Sequence, residues 1–321
     1  MTPGRPQLFA LDSLAESIVR ALARETLRDS RAVLSRIVLA ILWLLHLLPL
    51  PLLAKLGEGF GMLVYAFGRE RRRVVSINLK LCFPELSDRA RERLLRGHCL
   101  TFGRGALENA LCWWASKKRL QRVCTIEGKQ YLDQMSGRPL ILLAPHFVGC
   151  DIAGIRLSSE YPGISMYRRL KDPLLNELLL RGRTRFGMTT MVPDRGGLRQ
   201  VVKAVKKGLP FYYLPDRDHG ARDSVFTPFF GVPAATATAL PRLAELTQAA
   251  VVPCIARQLP GGRGYVARFY PAWNAYPSGD ESADAARMNA FIEERVREMP
   301  EQYFWNQKRF KTRPPGEAPL Y

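Results

Sequence analysis

The chain between residues 123 and 298 alternates between short apolar runs and segments whose apolar residues recur at helical spacing. The runs predict strands over 124–127, 139–144, 164–168, 189–192, 210–214, 251–257 and 264–271. The intervening segments predict helices over 128–135, 150–160, 173–186, 197–207, 236–248 and 282–298, with a long loop over 215–234. Such alternation is typical of an α/β fold. The pattern therefore predicts a central, mostly parallel sheet flanked by helices.

A different pattern precedes this alternation. Residues 1–32 are polar with scattered apolar positions and predict a loosely held helix, and a second helix is expected over 87–118 with Ser87 as its N-cap. Residues 37–53 are almost continuously apolar, slightly short of the ~20 residues of a spanning helix, and Pro49 and Pro51 break the end of the run. Basic residues flank it on both sides.

The apolar run predicts an N-terminal hydrophobic helical membrane anchor that dips into one leaflet, and a buried core helix is the alternative. On this basis the chain divides into a membrane-anchoring helical segment over 1–66 and an α/β domain over 67–321.

Charge narrows the choice of partners. The chain has 48 basic and 29 acidic residues and a net charge of +19, which indicates an anionic partner: nucleic acid, a membrane surface, a phosphorylated lipid or an acidic protein. No recognised nucleic-acid motif is present. The six cysteines have no CxxC or metal-finger spacing, so free thiols in a reducing compartment are expected.

The main candidate site lies where the strand over 139–144 gives way to a helix. The sequence there is His146-Phe-Val-Gly-Cys-Asp151. Residues i and i+5 of one helix do not face each other, so His146 must precede the helix for Asp151 to reach back to its imidazole. A carboxylate on one ring nitrogen leaves the other as a base. The alternative is a structural histidine beside a helix N-cap.

Two further strand ends carry polar clusters. Arg168 and Arg169 follow the strand over 164–168, and Asp216, Asp218 and His219 follow the strand over 210–214. Polar groups at several strand ends line one crevice in an α/β sheet. With His146 and Asp151, the second cluster could instead hold a metal, or it could form only a turn. The GxSxG, Walker A and GxGxxG motifs are absent.

Basic residues concentrate between positions 168 and 207, where eleven face only three acidic ones. The helix over 197–207 has an apolar stripe, and Arg199, Lys203 and Lys206 lie off it. We interpret these three residues as a docking surface; a solvated helix face is the alternative.

The ordered set of motifs resembles one family. His146-Phe-Val-Gly-Cys-Asp151 is similar to the HxxxxD/E motif of the lysophospholipid acyltransferase superfamily. The resemblance sharpens to the bacterial late acyltransferases of lipid A biosynthesis, of the lauroyl/myristoyl type. It covers roughly 35–313 and rests also on Tyr167-Arg168, Pro215-Asp-Arg-Asp-His-Gly220 and Gln302-Tyr-Phe-Trp.

The resemblance implies an enzyme of the inner membrane's cytoplasmic face. Its donor would be an acyl-acyl carrier protein thioester, and its acceptor a hydroxyl group of a phosphorylated glycolipid. In that reaction His146 is the general base, Asp151 orients it, and Arg168 stabilises the oxyanion. Arg169, Asp216, Asp218 and His219 would bind substrate, and Arg199, Lys203 and Lys206 would dock the carrier.

The same resemblance implies neither metal nor cofactor, because the thioester is already activated, and no nucleic-acid partner. Two alternatives remain open from the sequence. One is an acyltransferase of the same superfamily that acts on another glycolipid or an amino-acid lipid. The other is a basic membrane-associated binding protein without catalysis.

Overall fold

The computed structural model of the chain describes residues 30–194 and 196–321. It contains two compact units, Met1–Leu44 and Leu45–Tyr321. In the first unit, the described residues belong to helix α1 (Ser30–Leu45). The helix expected over 1–32 lies almost wholly outside the described residues. The fold described below is that of the larger unit.

Five helices precede the sheet. They are α2 (Leu50–Phe67), α3 (Arg69–Cys82), α4 (Asp88–Glu108), α5 (Ala110–Trp114) and α6 (Lys117–Val123). The apolar run over 37–53 is interrupted as predicted, since α1 ends at Leu45 and α2 begins after Pro49, which is its N-cap residue. Helix α2, which the sequence pattern assigned to the anchor, thus belongs to the larger unit.

The helix expected over 87–118 begins as predicted but is not continuous. The Ser87 side chain accepts a hydrogen bond from the Ala90 backbone N–H at 3.3 Å, which caps α4. The prediction of one helix was wrong because the chain turns at Asn109 and becomes extended at Ala115 and Ser116. Ser116 then caps α6 by accepting from the Arg119 N–H. Apolar periodicity runs through these breaks, so it did not reveal them.

The predicted α/β sheet is confirmed. Seven strands lie in the order β1-β9-β8-β2-β5-β3-β4. All neighbouring pairs are parallel except β8 with β9. The strands are β1 (Cys124–Glu127), β2 (Leu140–Leu143), β3 (Gly163–Tyr167), β4 (Thr189–Pro193), β5 (Phe211–Tyr213), β8 (Ala250–Gln258) and β9 (Tyr265–Phe269). The helices between and after them are α7 (Lys129–Asp133), α8 (Cys150–Ser158), α9 (Pro173–Thr184), α10 (Leu198–Lys206), α11 (Ala239–Thr247) and α12 (Glu281–Glu298).

A β-hairpin occupies much of the segment that was expected to be a loop over 215–234. Strand β6 (Ser224–Phe229) pairs antiparallel with β7 (Val232–Ala237). The expectation was wrong because Pro228 and Pro233 weaken the strand pattern, and a separate two-stranded sheet tolerates proline where a central strand does not. The buried side chain of Arg309 holds the hairpin in place by donating hydrogen bonds to Ala235 O and Thr236 Oγ1.

The continuous apolar sequence of β2 reflects its position in the core. All four of its residues are buried, because the strand lies inside the sheet with structure on both faces. The segment after α12 also enters the core: Tyr303, Trp305 and Phe310 are fully buried. The C-terminal part of the chain is therefore an integral part of the sheet domain.

Helix α2 packs unusually close to α4 through glycines. A Cβ atom at Gly61 would lie 2.4 Å from Cys99 O, and one at Gly103 would lie 2.4 Å from Gly57 O. Such backbone contact leaves no room for a side chain. By length and composition, α2 is also the one helix among the described residues that could cross a membrane, with 22% of its span buried. One face of α2 is thus fixed by the protein itself.

We predict that Gly61→Ala destabilises the protein because its methyl group must displace the α4 backbone. Overpacking of this kind costs about 1–3 kcal/mol. The matched control is Gly59→Ala on the same helix, where a Cβ meets nothing within 4 Å. That change should be neutral or stabilise by up to about 1 kcal/mol through helix propensity. Urea unfolding followed by circular dichroism measures both, and equal stabilities would contradict the tight crossing.

Candidate active site

The site lies at one edge of the sheet. Strands β2, β5, β3 and β4 are neighbours and parallel, so their carboxyl ends meet at the same edge. The loops that leave these ends carry His146, Asp216, Arg168 and Asp194. In α/β sheets this edge is where binding and catalytic groups converge. The topology therefore brings together residues that are up to 70 positions apart in sequence.

A buried hydrogen bond joins His146 to Asp216. His146 Nδ1 lies 2.6 Å from Asp216 Oδ1, and the His146 backbone N–H donates to Asp216 Oδ2 at 3.0 Å. The Asp216 side chain is 1% exposed and that of His146 is 11% exposed. The adjacency of β2 and β5, with Leu143 opposite Tyr213, places the two following loops side by side.

Asp216 is ionised in this site. Burial acts to raise the pKa of its carboxyl group, but the charge and hydrogen bonds of His146 outweigh burial and lower the pKa to about 2. The carboxylate therefore fixes the proton of the imidazole on Nδ1. Nε2 is then the nitrogen that can accept a proton from another group.

Asp151 does not bind His146, and the expectation that it would is wrong. Its Oδ1 accepts a hydrogen bond from Arg183 Nη2 at 2.6 Å, which links the first turn of α8 to α9. Asp216 already occupies Nδ1 of His146. Both carboxylates lie close to Cys150. Burial has the largest effect and raises the pKa of its thiol, and the charges of Asp151 and Asp216 raise that pKa further.

The loop after β3 presents Arg168 to solvent. Its side chain is 73% exposed, and its guanidinium group lies 3.5 Å from the Asp194 carboxylate. Arg169 is also exposed. Arg168 lies near the loop after β5, which carries His219. Burial, followed by the charges of Arg217 and then Arg168, lowers the pKa of His219. His146 adds to this lowering. Arg168, Arg169 and Arg217 thus place positive charge at the sheet edge that carries the imidazole.

Asp218 has a different environment from Asp216. Its carboxylate accepts hydrogen bonds from the Thr312 backbone N–H at 2.6 Å, from Thr312 Oγ1 at 2.7 Å and from the Gly220 N–H at 2.9 Å. These bonds fasten the β5 loop to the C-terminal segment. The expected contact of Asp218 with a substrate stays a prediction, whereas Asp216 is a partner of the imidazole.

The metal alternative finds no support in the described part of the chain. Among the residues there, no group of three or more His, Cys, Asp or Glu side chains is arranged to hold a metal ion. The two aspartates that suggested such a site point to different partners, His146 and Thr312.

The C-terminal segment, here residues 302–307, is hydrogen-bonded to the His146 loop and to Asp216. The Phe304 N–H donates to His146 O at 3.0 Å, and the Val148 N–H donates to Gln302 O at 2.9 Å. Gln307 Nε2 reaches Asp216 O at 3.4 Å and Tyr303 Oη at 3.2 Å. Burial and then the charge of the nearby Asp216 carboxylate raise the pKa of the Tyr303 hydroxyl. One segment thus holds both members of the pair.

Two contacts of the site were missed by the sequence pattern. The pairing of His146 with Asp216 depends on β5 lying beside β2, although β3 and β4 lie between them in the chain. The pairing of Asp151 with Arg183 depends on the packing of α9 on α8. The proline-aspartate pair after β5 was the sequence signal for Asp216. It did not show that Asp216 would contact His146.

The predicted docking residues lie on a different element from this pair. Arg199, Lys203 and Lys206 are exposed on α10, whose Val201 and Val205 are buried. Among the described residues, none forms an ion pair with these three. Helix α10 follows β4 and therefore starts at the edge of the sheet that carries His146.

Comparison with known proteins identifies the family. The sequence profile of the bacterial lipid A biosynthesis acyltransferases matches residues 23–312. The lipid A biosynthesis lauroyltransferase of Escherichia coli K12 is 35% identical over 88% of this chain and 93% of its own length. The palmitoleoyltransferase of the same strain is 33% identical over 88% and 92%, and its myristoyltransferase is 31% identical over 84% and 83%. This chain belongs to the bacterial lipid A biosynthesis acyltransferase family and is an acyltransferase.

Proposed function

We propose that the enzyme transfers a fatty acyl chain from an acyl carrier protein thioester to a hydroxyl group of a phosphorylated lipid A precursor. The observation that carries this proposal is the buried His146–Asp216 pair at the sheet edge, in a chain of this family. An imidazole with its Nδ1 held by a carboxylate is suited to take a proton from a hydroxyl group. Neither a metal nor a cofactor is needed for transfer from a thioester.

The reaction begins when the acceptor hydroxyl attacks the carbonyl carbon of the thioester. As the new C–O bond forms, the hydroxyl proton passes to Nε2 of His146, and the carbonyl oxygen becomes an oxyanion. Asp216 stabilises the imidazolium that results, because its carboxylate stays ionised. The tetrahedral intermediate then collapses, and the C–S bond breaks. The imidazolium returns the proton to the departing sulfur, giving an ester and the free thiol of the carrier.

The positive charge at this edge suits two anions. Arg168 is our candidate for stabilising the oxyanion, since it lies at the end of the next parallel strand but one and its side chain is exposed. Arg169 and His219 lie on the loops after β3 and β5 and suit the phosphate groups of the acceptor. Asp151 contributes by holding Arg183 at this edge.

The membrane surface is a further proposed partner. Opposite its glycine face, α2 exposes a continuous apolar stripe. The stripe consists of Leu52, Leu56, Phe60, Leu63 and Phe67. Basic residues at the start of α3, including Arg69, Arg71 and Arg73, are exposed directly after it. An apolar stripe with adjacent cations suits a helix lying in the headgroup region of an anionic membrane. We place the enzyme on the cytoplasmic face of the inner membrane.

The carrier protein is proposed to dock on Arg199, Lys203 and Lys206. These cations lie on the helix that starts at the active-site edge, and they attract an acidic partner.

We predict that His146→Ala abolishes transfer while the fold remains intact. Loss of a general base lowers kcat by about 10²–10⁴-fold. The assay mixes the purified enzyme with an acylated carrier protein and a lipid A precursor and measures both thiol release and lipid mass. Retention of more than about a tenth of the activity, in protein with normal circular dichroism, would exclude the role of His146. A wild-type enzyme that releases no thiol from the acylated carrier would exclude the carrier thioester as its donor.

We predict that Asp216→Asn lowers kcat far more than Asp151→Asn. Asp216→Asn replaces the carboxylate that holds Nδ1 of His146, and its amide can favour the wrong tautomer of the imidazole, so kcat should fall by about 10²–10⁴-fold. Asp151→Asn loses only the salt bridge to Arg183 and should lower kcat by about ten-fold or less. Steady-state kinetics of both variants, with circular dichroism as a check of folding, measures the difference. A larger loss in the Asp151 variant than in the Asp216 variant would restore Asp151 as the partner of His146.

We predict that replacing Leu52, Leu56 and Leu63 by Gln weakens membrane attachment without unfolding. All three side chains are exposed, so no core contact is lost. High salt should then release a larger fraction of the enzyme from membranes, since the remaining attraction is electrostatic and screened. The matched control replaces exposed Met188 and Phe226, which lie outside the stripe. Equal release from wild type and variant would show that α2 does not face lipid.

A further inference from the structure

A groove runs between α10 and α11 on the surface of the sheet domain. It has a volume of about 520 Å³. Three of its lining residues are apolar, Leu198, Val202 and Leu246. The other four are cations: Arg199, Lys203, Lys206 and Lys207. The groove thus has an apolar floor and a rim of one charge sign.

The apolar floor is not required by the core. Leu198 is 50% exposed and Leu246 is 55% exposed. The core-facing positions of the same two helices are filled by other residues, such as Val201, Val205 and Leu243, which are buried. Leu198 and Leu246 thus contribute apolar surface to the groove, and covering that surface gains free energy.

Among the described residues, no acidic side chain balances the positive charge of the four cations that line the groove. Acidic side chains are absent from the lining, and no ion pair there involves any of the four cations. By contrast, Arg242 on α11 is paired with Glu281 at 2.6 Å, outside the groove. Arg199, Lys203 and Lys207 follow each other at intervals of four, so they line one side of α10. The positive charge therefore faces the occupant of the groove.

One end of the groove lies at the sheet edge that carries the reaction site. Helix α10 starts at Leu198, shortly after β4 ends at Pro193. That strand end belongs to the edge that carries His146, Arg168 and Asp216. An occupant that lies along α10 therefore has one end at this edge and extends towards the opposite one.

We propose that this groove binds an acidic amphipathic helix of the acyl carrier protein. The apolar face of that helix covers Leu198, Val202 and Leu246, and its acidic residues pair with the four cations. This inference rests on the proposed function for the identity of the donor, and it adds the second helix, α11, and an apolar contact to the charged docking residues.

The composition of the surface favours an acidic helix over a lipid bilayer. Four cations lie beside three apolar residues, which matches the acidic and apolar faces of one amphipathic helix. Laying the apolar face of an amphipathic helix into a groove is a recurrent mode of recognition. The two parts of the surface should act differently. The rim charges accelerate association, and the apolar floor slows dissociation.

Direct binding tests the groove independently of catalysis. The probe is a purified bacterial holo-acyl carrier protein, titrated calorimetrically into the full-length enzyme. One variant replaces Leu198 and Leu246 by Ser, and a second replaces Arg199, Lys203 and Lys206 by Glu. The matched control replaces Lys117, Lys118 and Arg122 by Glu on α6. It changes the net charge equally but lies beside β1, at the opposite end of the sheet from β4.

We expect the Kd for the carrier to rise about ten-fold or more in each groove variant, and only slightly in the control. An unchanged Kd in the leucine variant would overturn the proposed helix groove. An equal rise in the α6 control and the charge variant would overturn it as well, because net charge alone would then explain binding. Circular dichroism confirms that these exposed substitutions leave the fold intact.

Steady-state kinetics with two donors separates this inference from the proposed function. With an acylated carrier, the KM for the donor should rise about ten-fold in the groove variants while kcat stays the same. With a short acyl-pantetheine thioester, which has no helix, the groove variants should match the wild type. A rise in KM for the glycolipid acceptor instead would assign the surface to lipid phosphates. If the wild type binds carrier through the groove but transfers from neither donor, the proposed function fails and the groove stands.

Discussion

The buried pair of His146 and Asp216 is the interaction on which the rest of the site depends. Asp216 is 1% exposed, so its charge is stable there only because His146 supplies both a ring nitrogen and a backbone N–H. The same contacts fix the orientation and tautomer of the imidazole. Stability and catalysis thus share one set of hydrogen bonds, and the loops after β2 and β5 cannot move apart without losing both.

The C-terminal segment makes that pair possible. Its backbone pairs with the His146 loop through Phe304 and Gln302, and its Thr312 fastens Asp218 two residues beyond Asp216. Tyr303 and Trp305 are fully buried beneath these contacts. A polar loop at a sheet edge is normally mobile, and here a buried aromatic segment holds two such loops in register. The segment is distant in sequence from both loops but serves as their common support.

Charge and apolar surface are distributed over separate regions of the enzyme. Helix α2 exposes an apolar stripe, α10 and α11 line a groove that carries four cations, and Arg168 and His219 lie at the sheet edge that carries His146. Under the proposed function these regions correspond to membrane, carrier protein and phosphorylated acceptor. The net charge of +19 therefore does not act as one uniform field, since each region meets a different anion.

The sequence by itself determined the α/β class, the position of most strands and helices, and the polar strand ends, because apolar periodicity and strand-end chemistry are local properties. It also led from the HxxxxD motif to the family. Tertiary structure alone decided that Asp216 rather than Asp151 binds His146, because strand order in a parallel sheet is set by long-range packing. It likewise decided that Arg183 pairs with Asp151, that α2 packs against α4 through Gly57 and Gly61, and that Leu246 lines the same groove as Leu198. Each of these contacts joins residues whose sequence separation carries no periodic signal, so only the folded chain brings them together.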